Sequence, residues 1–195
     1  DVDSENLDHI NKLIKTNVHR TYKVEIEFKR KGKNVKEEQI KNKILNDINV
    51  YEVNTLPVGC QVMVTFNINV EEGIVNGSRG VITAVHEESV SVMLKNGLNI
   101  LINKMNLEFE ADNYLCIATY IPLKPAYALT VHKTQSATLD CVEIDLQNLF
   151  ERSQAYVAIS RVKDFDSFSV MYFGPNSIKY NMIKPRDDIA ERFVY

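Results

Sequence analysis

The sequence predicts an α/β chain: a mainly parallel sheet domain interrupted by a small inserted β-barrel. Three observations predict it. Strand and helix patterns alternate through the last third of the chain, the order that builds a parallel sheet with crossovers. A middle stretch holds short β-runs, tight glycine turns and an Asn-Gly hairpin signal, the texture of a small barrel. Two amphipathic helical stripes precede both.

Taken in order, residues 4–15 read as a helix with Ser4 as N-cap and Leu7, Ile10, Leu13 and Ile14 on one face. "YKVEIEF" alternates with period two, as a half-buried strand does. A basic turn around Gly32 follows, then a helix over 36–48 striped by Ile40, Ile44, Leu45 and Ile48. "LPVGCQVMVTFNI" reads as a strand after a turn. "EEGIVNGSRG" carries three glycines in ten residues, which marks tight turns and close backbone approaches. "VITAV", "SVSVML" and "LNILI" are strands, the last two joined through Lys95-Asn96-Gly97. The expected barrel covers residues 70–117, and the sheet domain takes 1–69 with 118–195. In the latter, "AYALTV", "CVEIDL" and "FSVMYF" read as strands and "SQAYVAISRV" as a helix. In that helix Ala155, Tyr156, Val157, Ala158 and Ile159 are expected to turn inward.

Composition bounds the function. Hydrophobic residues make up 45% and charged residues 25% of 195, a balance that permits a buried core. No apolar run approaches bilayer length, so no membrane partner is expected. The acidic opening "DVDSENLDHI" is no signal or transit peptide, and the lack of an initiating Met suggests a piece of a longer chain. Cys60, Cys116 and Cys141 are odd in number and hold no Cys-x-x-Cys pair. They read as buried thiols of a reducing, intracellular compartment. His9, His19, His86 and His132 show no ligand spacing, so no metal site is expected. The net charge of -3 does not announce a nucleic-acid binder, yet Arg20 to Lys43 holds nine Lys/Arg against four Glu. That run is either a solvated loop tip or a phosphate-tracking edge.

"AYALTVHKTQSAT" sets an apolar segment against an abrupt polar packet. Ends of parallel strands next to helix starts are where α/β domains bind ligands, and free N–H groups there favour anions. Lys133 supplies a point charge for a phosphate, and Thr130, Thr134 and Gln135 supply neutral hydrogen bonds. His132 can stack on a base. The set suits a nucleic-acid backbone or a nucleotide; the alternative is a satisfied polar turn that caps a helix. A serine-hydrolase reading of Ser136, His132 and Asp140 fails, because one local turn cannot align the three and no Gly-x-Ser-x-Gly elbow exists. Arg161, closing an apolar helical stretch, is a surface residue unless an anion lies opposite.

"AYALTVHKTQSATLDCVEIDL" followed by "FERSQAYVAISRVKDF" resembles motifs V and VI of the superfamily 1B DNA helicases, the Pif-like and RecD-like group. The family's second pattern is filled by Gln154, Tyr156, Val157, Ala158, Ser160 and Arg161. "LPVGCQVMVTFNINVEEGIVNGSRGVI" resembles the block that leads into the family's small 2B domain, and "ENLDHINKL", more weakly, the start of the second RecA-like domain. The resemblance spans nearly the whole chain. It implies that the sheet domain is the RecA-like 2A domain and that the insertion is the SH3-like 2B barrel.

The resemblance also implies roles. His132, Lys133 and Thr134, with Thr130 beside them, would touch single-stranded DNA, joined by Asn76 and Arg79 of the glycine-rich block. Gln135 and Thr138 would lie near the nucleotide cleft. Arg161 would be an arginine finger, an effect of roughly 10³ to 10⁵ in rate. ATP and Mg²⁺ are the implied cofactors, and strand polarity is 5′ to 3′. Where the family has a motif V glycine, this chain has Ser136. No P-loop is present: the only Gly-Lys is Gly32-Lys33, followed by Asn34, with Glu27 where the first glycine belongs. The chain therefore reads as one wall of an ATP cleft and part of a DNA track, inactive alone, whose partner would be an N-terminal RecA-like domain. The rival readings are a stand-alone, non-catalytic nucleic-acid-binding or assembly module, and a plain α/β scaffold.

Overall fold

The computed structural model describes residues 2–33, 36–130, 142–145, 154–162 and 168–171. The chain divides into two compact units, Asp1–Ala128 and Leu129–Tyr195. No helix among the described residues is long and apolar enough to cross a membrane.

The first unit holds two apolar cores. Helix α1 (Val2–Ile14), strands β1 (His19–Lys23) and β3 (Val53–Pro57), and the strands β4 (Gln61–Val64), β5 (Arg79–Val85), β6 (Ser89–Leu94), β7 (Asn99–Asn103) and β10 (Leu123–Pro125) surround one of them. The last five form an antiparallel sheet in the order β10-β4-β5-β6-β7. Leu56, Val62, Val64, Ile82, Val90, Val92, Ile102 and Leu123 are at most 2% exposed, and each such side chain contributes roughly 1.5–3 kcal/mol by leaving water. The β6–β7 connection is the expected Asn-Gly turn. Gly97 sits at φ +85°, where a Cβ would be strained, and its N–H donates to the Leu94 carbonyl at 2.9 Å.

The second core lies between helix α2 (Glu37–Ile48) and a sheet of β2 (Glu25–Lys31), β9 (Tyr114–Tyr120) and β8 (Met105–Ala111), in the order β2-β9-β8. Strand β9 buries every second residue, Tyr114, Cys116, Ala118 and Tyr120, against Ile44 and Ile48 of α2. Glu37 and Glu38 in the first turn of α2 suit its dipole, and Asn49 ends it in the left-handed region.

The second unit shows strand β11 (Val142–Asp145) parallel to β12 (Phe168–Met171), with helix α3 (Gln154–Ile159) in the connection between them. This is the strand–helix–strand order expected of the late sequence. The described residues as a whole are mostly sheet, and every strand pair of the first unit is antiparallel.

Several local expectations shift. "YKVEIEF" is not one strand. It breaks at Val24, where the chain leaves the β1–β3 pair to join β9. Period-two alternation persists across such a change of partner and cannot report it. Helix α1 begins before Ser4, and Leu7 of its expected stripe is 49% exposed while Asn6 is fully buried. Tyr156, expected inward on α3, is 65% exposed. It lies about 100° round the helix from Val157. Strands β8 and β9 of the span 70–117 pair with each other, and β9 also with β2, whereas β5, β6 and β7 join β4 and β10.

Candidate nucleic-acid interface

Residues 126–130 were expected to continue as a strand, and they do not. The Ala126 N–H donates to the Gln61 carbonyl at 2.9 Å, and the ladder stops there. The next backbone groups bond to a side chain. Asn6 Oδ1 accepts from the N–H of Tyr127 and of Ala128, both at 2.9 Å, and Asn6 Nδ2 donates to the Ala128 carbonyl at 3.1 Å. A buried amide thus replaces a neighbouring strand, as buried backbone groups require some partner. Tyr127 adds further ties, among them a bond from its hydroxyl to the Gly59 carbonyl at 3.4 Å. Its hydroxyl accepts from the Gln61 N–H at 3.1 Å, and its ring stacks on His9 at 4.4 Å. Burial pushes the Tyr127 phenol up from its ordinary value. Beside it, burial raises the Cys60 thiol to about 11, so Cys60 stays a protonated, inert thiol at neutral pH.

This clamp holds the segment that leads into the polar packet. Thr130 is exposed at its end. His132, Lys133, Thr134, Gln135 and Thr138, like Ser136, lie outside the described residues. Asn6 was not among the residues singled out from the sequence. Its signal was there: Asn6, Ile10 and Leu13 stand at helical spacing, so the buried face runs through an asparagine.

The glycine-rich block closes on itself and on the same segment. Asn67 Oδ1 accepts the Asn76 N–H at 2.8 Å, and Ser78 Oγ accepts the Val75 N–H and donates to the Gly73 carbonyl, each at 3.0 Å. Ile74 anchors the loop in the first core. One N–H of the Arg79 guanidinium donates to the Ala126 carbonyl at 3.0 Å. Arg79, named as a DNA contact, therefore also ties the block to the segment before Thr130. Asn76 is exposed. Gly80 is required by close approach: a Cβ there would lie 2.5 Å from the Met93 carbonyl oxygen.

In the second unit, the Ser160 N–H donates to the Tyr156 carbonyl at 2.8 Å and the Val162 N–H to the Ile159 carbonyl at 3.2 Å. Arg161 lies in this closing turn, and its Nε is buried with no hydrogen-bond partner. The basic run of the first unit behaves differently. Lys29 pairs with Glu27, Arg30 with Glu110 at 3.1 Å, and Lys31 with Glu37. All six partners are exposed, and exposed pairs of this kind contribute only about 0–1 kcal/mol.

Comparison with known proteins agrees with the motif resemblance. Residues 40–85 match the family model described as DNA helicase Pif1, 2B domain. The chain is 40% identical over 130 residues to the ATP-dependent DNA helicase PIF1 of Danio rerio, covering 65% of this chain and 20% of that protein. To the human protein of the same name it is 35% identical over 134 residues, covering 67% and 21%. The chain thus spans about a fifth of the length of these curated relatives. Among solved structures, the Candida albicans Pif1 helicase matches at a TM-score of 0.77 and 22% identity, over 98% of this chain and 46% of that one. A Bacteroides Pif1 helicase in complex with ADP-AlF3 and ssDNA matches at 0.68 and 25%, over 98% and 42%. Motifs, relatives and fold converge, and the chain is a Pif1-like one, corresponding to the C-terminal portion of a superfamily 1B DNA helicase.

Proposed function

We propose that this chain supplies one wall of the ATP cleft and part of the single-stranded DNA track of an ATP-dependent helicase moving 5′ to 3′. The observation that carries the reading is Arg161. A guanidinium with a buried, unpartnered Nε, at the end of an apolar helical stretch, leaves a donor that a phosphate oxygen would satisfy, and a buried polar group left unsatisfied costs about 1–3 kcal/mol. Opposite a γ-phosphate it would stabilise the charge that develops in transfer. Gln135 and Thr138 would border the same nucleotide. Mg²⁺ would accompany the ATP in the full-length parent.

On the DNA side, His132, Lys133 and Thr134 would follow the strand from Thr130, with Asn76 beside them. Asn6 and Arg79 would hold the backbone from which the packet starts. Closure of two RecA-like walls about the nucleotide, and reopening after hydrolysis, would move the strand along this track. The other wall, with the P-loop, would come from an N-terminal RecA-like domain. The domain assignment belongs to the same proposal: RecA-like 2A over 1–69 and 118–195, and an SH3-like 2B barrel over 70–117. Its support is the consecutive antiparallel run β5, β6 and β7; a barrel drawn to include β8 and β9 would also take in β2.

The test has two arms. Binding of labelled oligo-dT to the chain is followed by anisotropy at two salt concentrations, for wild type and His132→Ala/Lys133→Ala. Binding that weakens with salt, and weakens further in the double variant, is expected. Next, the chain replaces the matching segment of a Pif1 relative, and DNA-stimulated ATPase is measured with and without Arg161→Ala. A fall of roughly 10³-fold or more is expected. An ATPase indifferent to Arg161 would leave only a non-catalytic nucleic-acid module.

A further inference from the structure

Where the end of β4 meets α2, β8 and β9, the first unit opens into a groove of about 310 Å³. Small-ligand sites run from roughly 300 to 1,000 Å³. Its walls are of three kinds. Phe66 and Phe109 present aromatic carbon, and Asn76 with Asp47 stands at the exposed side. Thr65 and Tyr120 line the floor, 6% and 1% exposed, and neither the Thr65 Oγ1 nor the Tyr120 hydroxyl has a hydrogen-bond partner.

Two orphaned hydroxyls in one groove are unusual, because buried polar atoms nearly always find partners. Each hydroxyl can donate or accept. Burial pushes the Tyr120 phenol to about 12, so it keeps its proton at neutral pH. No Lys, Arg or His lines the groove, and Asp47 is its single charged residue. A phosphate or carboxylate ligand is therefore disfavoured. A flat, neutral ligand with polar edges matches: it can lie against the phenyl rings and bond the hydroxyls through its edge.

We infer that the groove receives one unstacked nucleobase of a single strand, with the sugar–phosphate backbone left outside at the Asn76 rim. The inference rests on the single-stranded DNA reading above and adds a base-contacting site to it. Aromatic contact is tolerant of sequence, whereas hydroxyl bonds to the edge require a base to be there. Asp47 can accept from an exocyclic amine, as acidic side chains do from cytosine.

The test compares wild type with Tyr120→Phe/Thr65→Val, changes that keep ring and shape and delete only the two hydroxyls. Because those hydroxyls bond nothing in the protein, the variant is expected to melt no lower than wild type. Anisotropy is read on two labelled single strands of equal length, one with all its bases and one abasic. The double variant is expected to bind the complete strand about tenfold more weakly and the abasic strand as before. Equal effects on both strands, no effect on either, or a lower melting point would overturn the inference. Salt-sensitive binding that ignores the variant would sink the groove alone and leave the DNA reading standing. Failure of wild type to bind either strand would remove both.

Discussion

Asn6 grips Ala128 at both ends of the residue: its Oδ1 takes the Ala128 N–H at 2.9 Å and its Nδ2 reaches the Ala128 carbonyl at 3.1 Å. The two residues stand 122 positions apart. Through this pair the first helix of the chain sets where the segment before the polar packet lies.

Replacement of Asn6 by Ala is therefore expected to damage more than a helix. It leaves two N–H groups and a carbonyl of the half-buried Tyr127–Ala128 segment without their partner. A loss of roughly 2–4 kcal/mol is expected, read as a lower urea midpoint. If the clamp also positions the packet, affinity for oligo-dT falls at temperatures where the variant is still folded. A variant of unchanged stability would show that residues 126–128 are held by other contacts.

Gly80 offers a second expectation, this time steric. Its missing Cβ makes room for the Met93 backbone across the β5–β6 pair, and backbone does not yield as a flexible side chain does. Gly80→Ala should cost about 1–3 kcal/mol by forcing those strands apart. Gly97→Ala is the control: it has open space but a φ of +85°, and should cost about 1 kcal/mol through the backbone alone. Chemical denaturation of both variants separates the two mechanisms. Equal, small losses would show that the strands part without strain.

The Cys60 thiol makes stability depend on alkaline pH. Burial raises it from 9.0 to about 11. Below pH 9 both states hold the proton and the residue adds no slope. Between about 9 and 11 the unfolded thiol ionises while the folded one does not. The native state then binds more protons, and stability falls as pH rises. Urea unfolding from pH 8 to 10.5 should show this decline, with a flatter slope in Cys60→Ala. A thiol reagent at pH 8 should also leave Cys60 of the folded Cys141→Ser protein untouched. Rapid labelling under those conditions would contradict the burial argument.

What the sequence determined by itself is local or carried by motif. Spacing sufficed for helix α2, with its stripe of Ile44 and Ile48, because a stripe on one face needs no knowledge of what covers it. The Asn96-Gly97 hairpin was legible because the turn conformation belongs to the residues that make it. The motif around Arg161 was legible as an ordered string. Tertiary structure decided what depends on partners distant in the chain. Val24 switches sheets although its alternation continues. Asn6 goes inward and Leu7 outward because the Tyr127 and Ala128 backbone needs an amide there. Tyr120 and Thr65 look like ordinary strand residues in the sequence, and only the meeting of α2, β8, β9 and the end of β4 buries their hydroxyls in a shared groove. Periodicity reports which face of an element is apolar. It does not report which backbone groups will lack a neighbour, and around residues 126–128 those groups select the residues that matter.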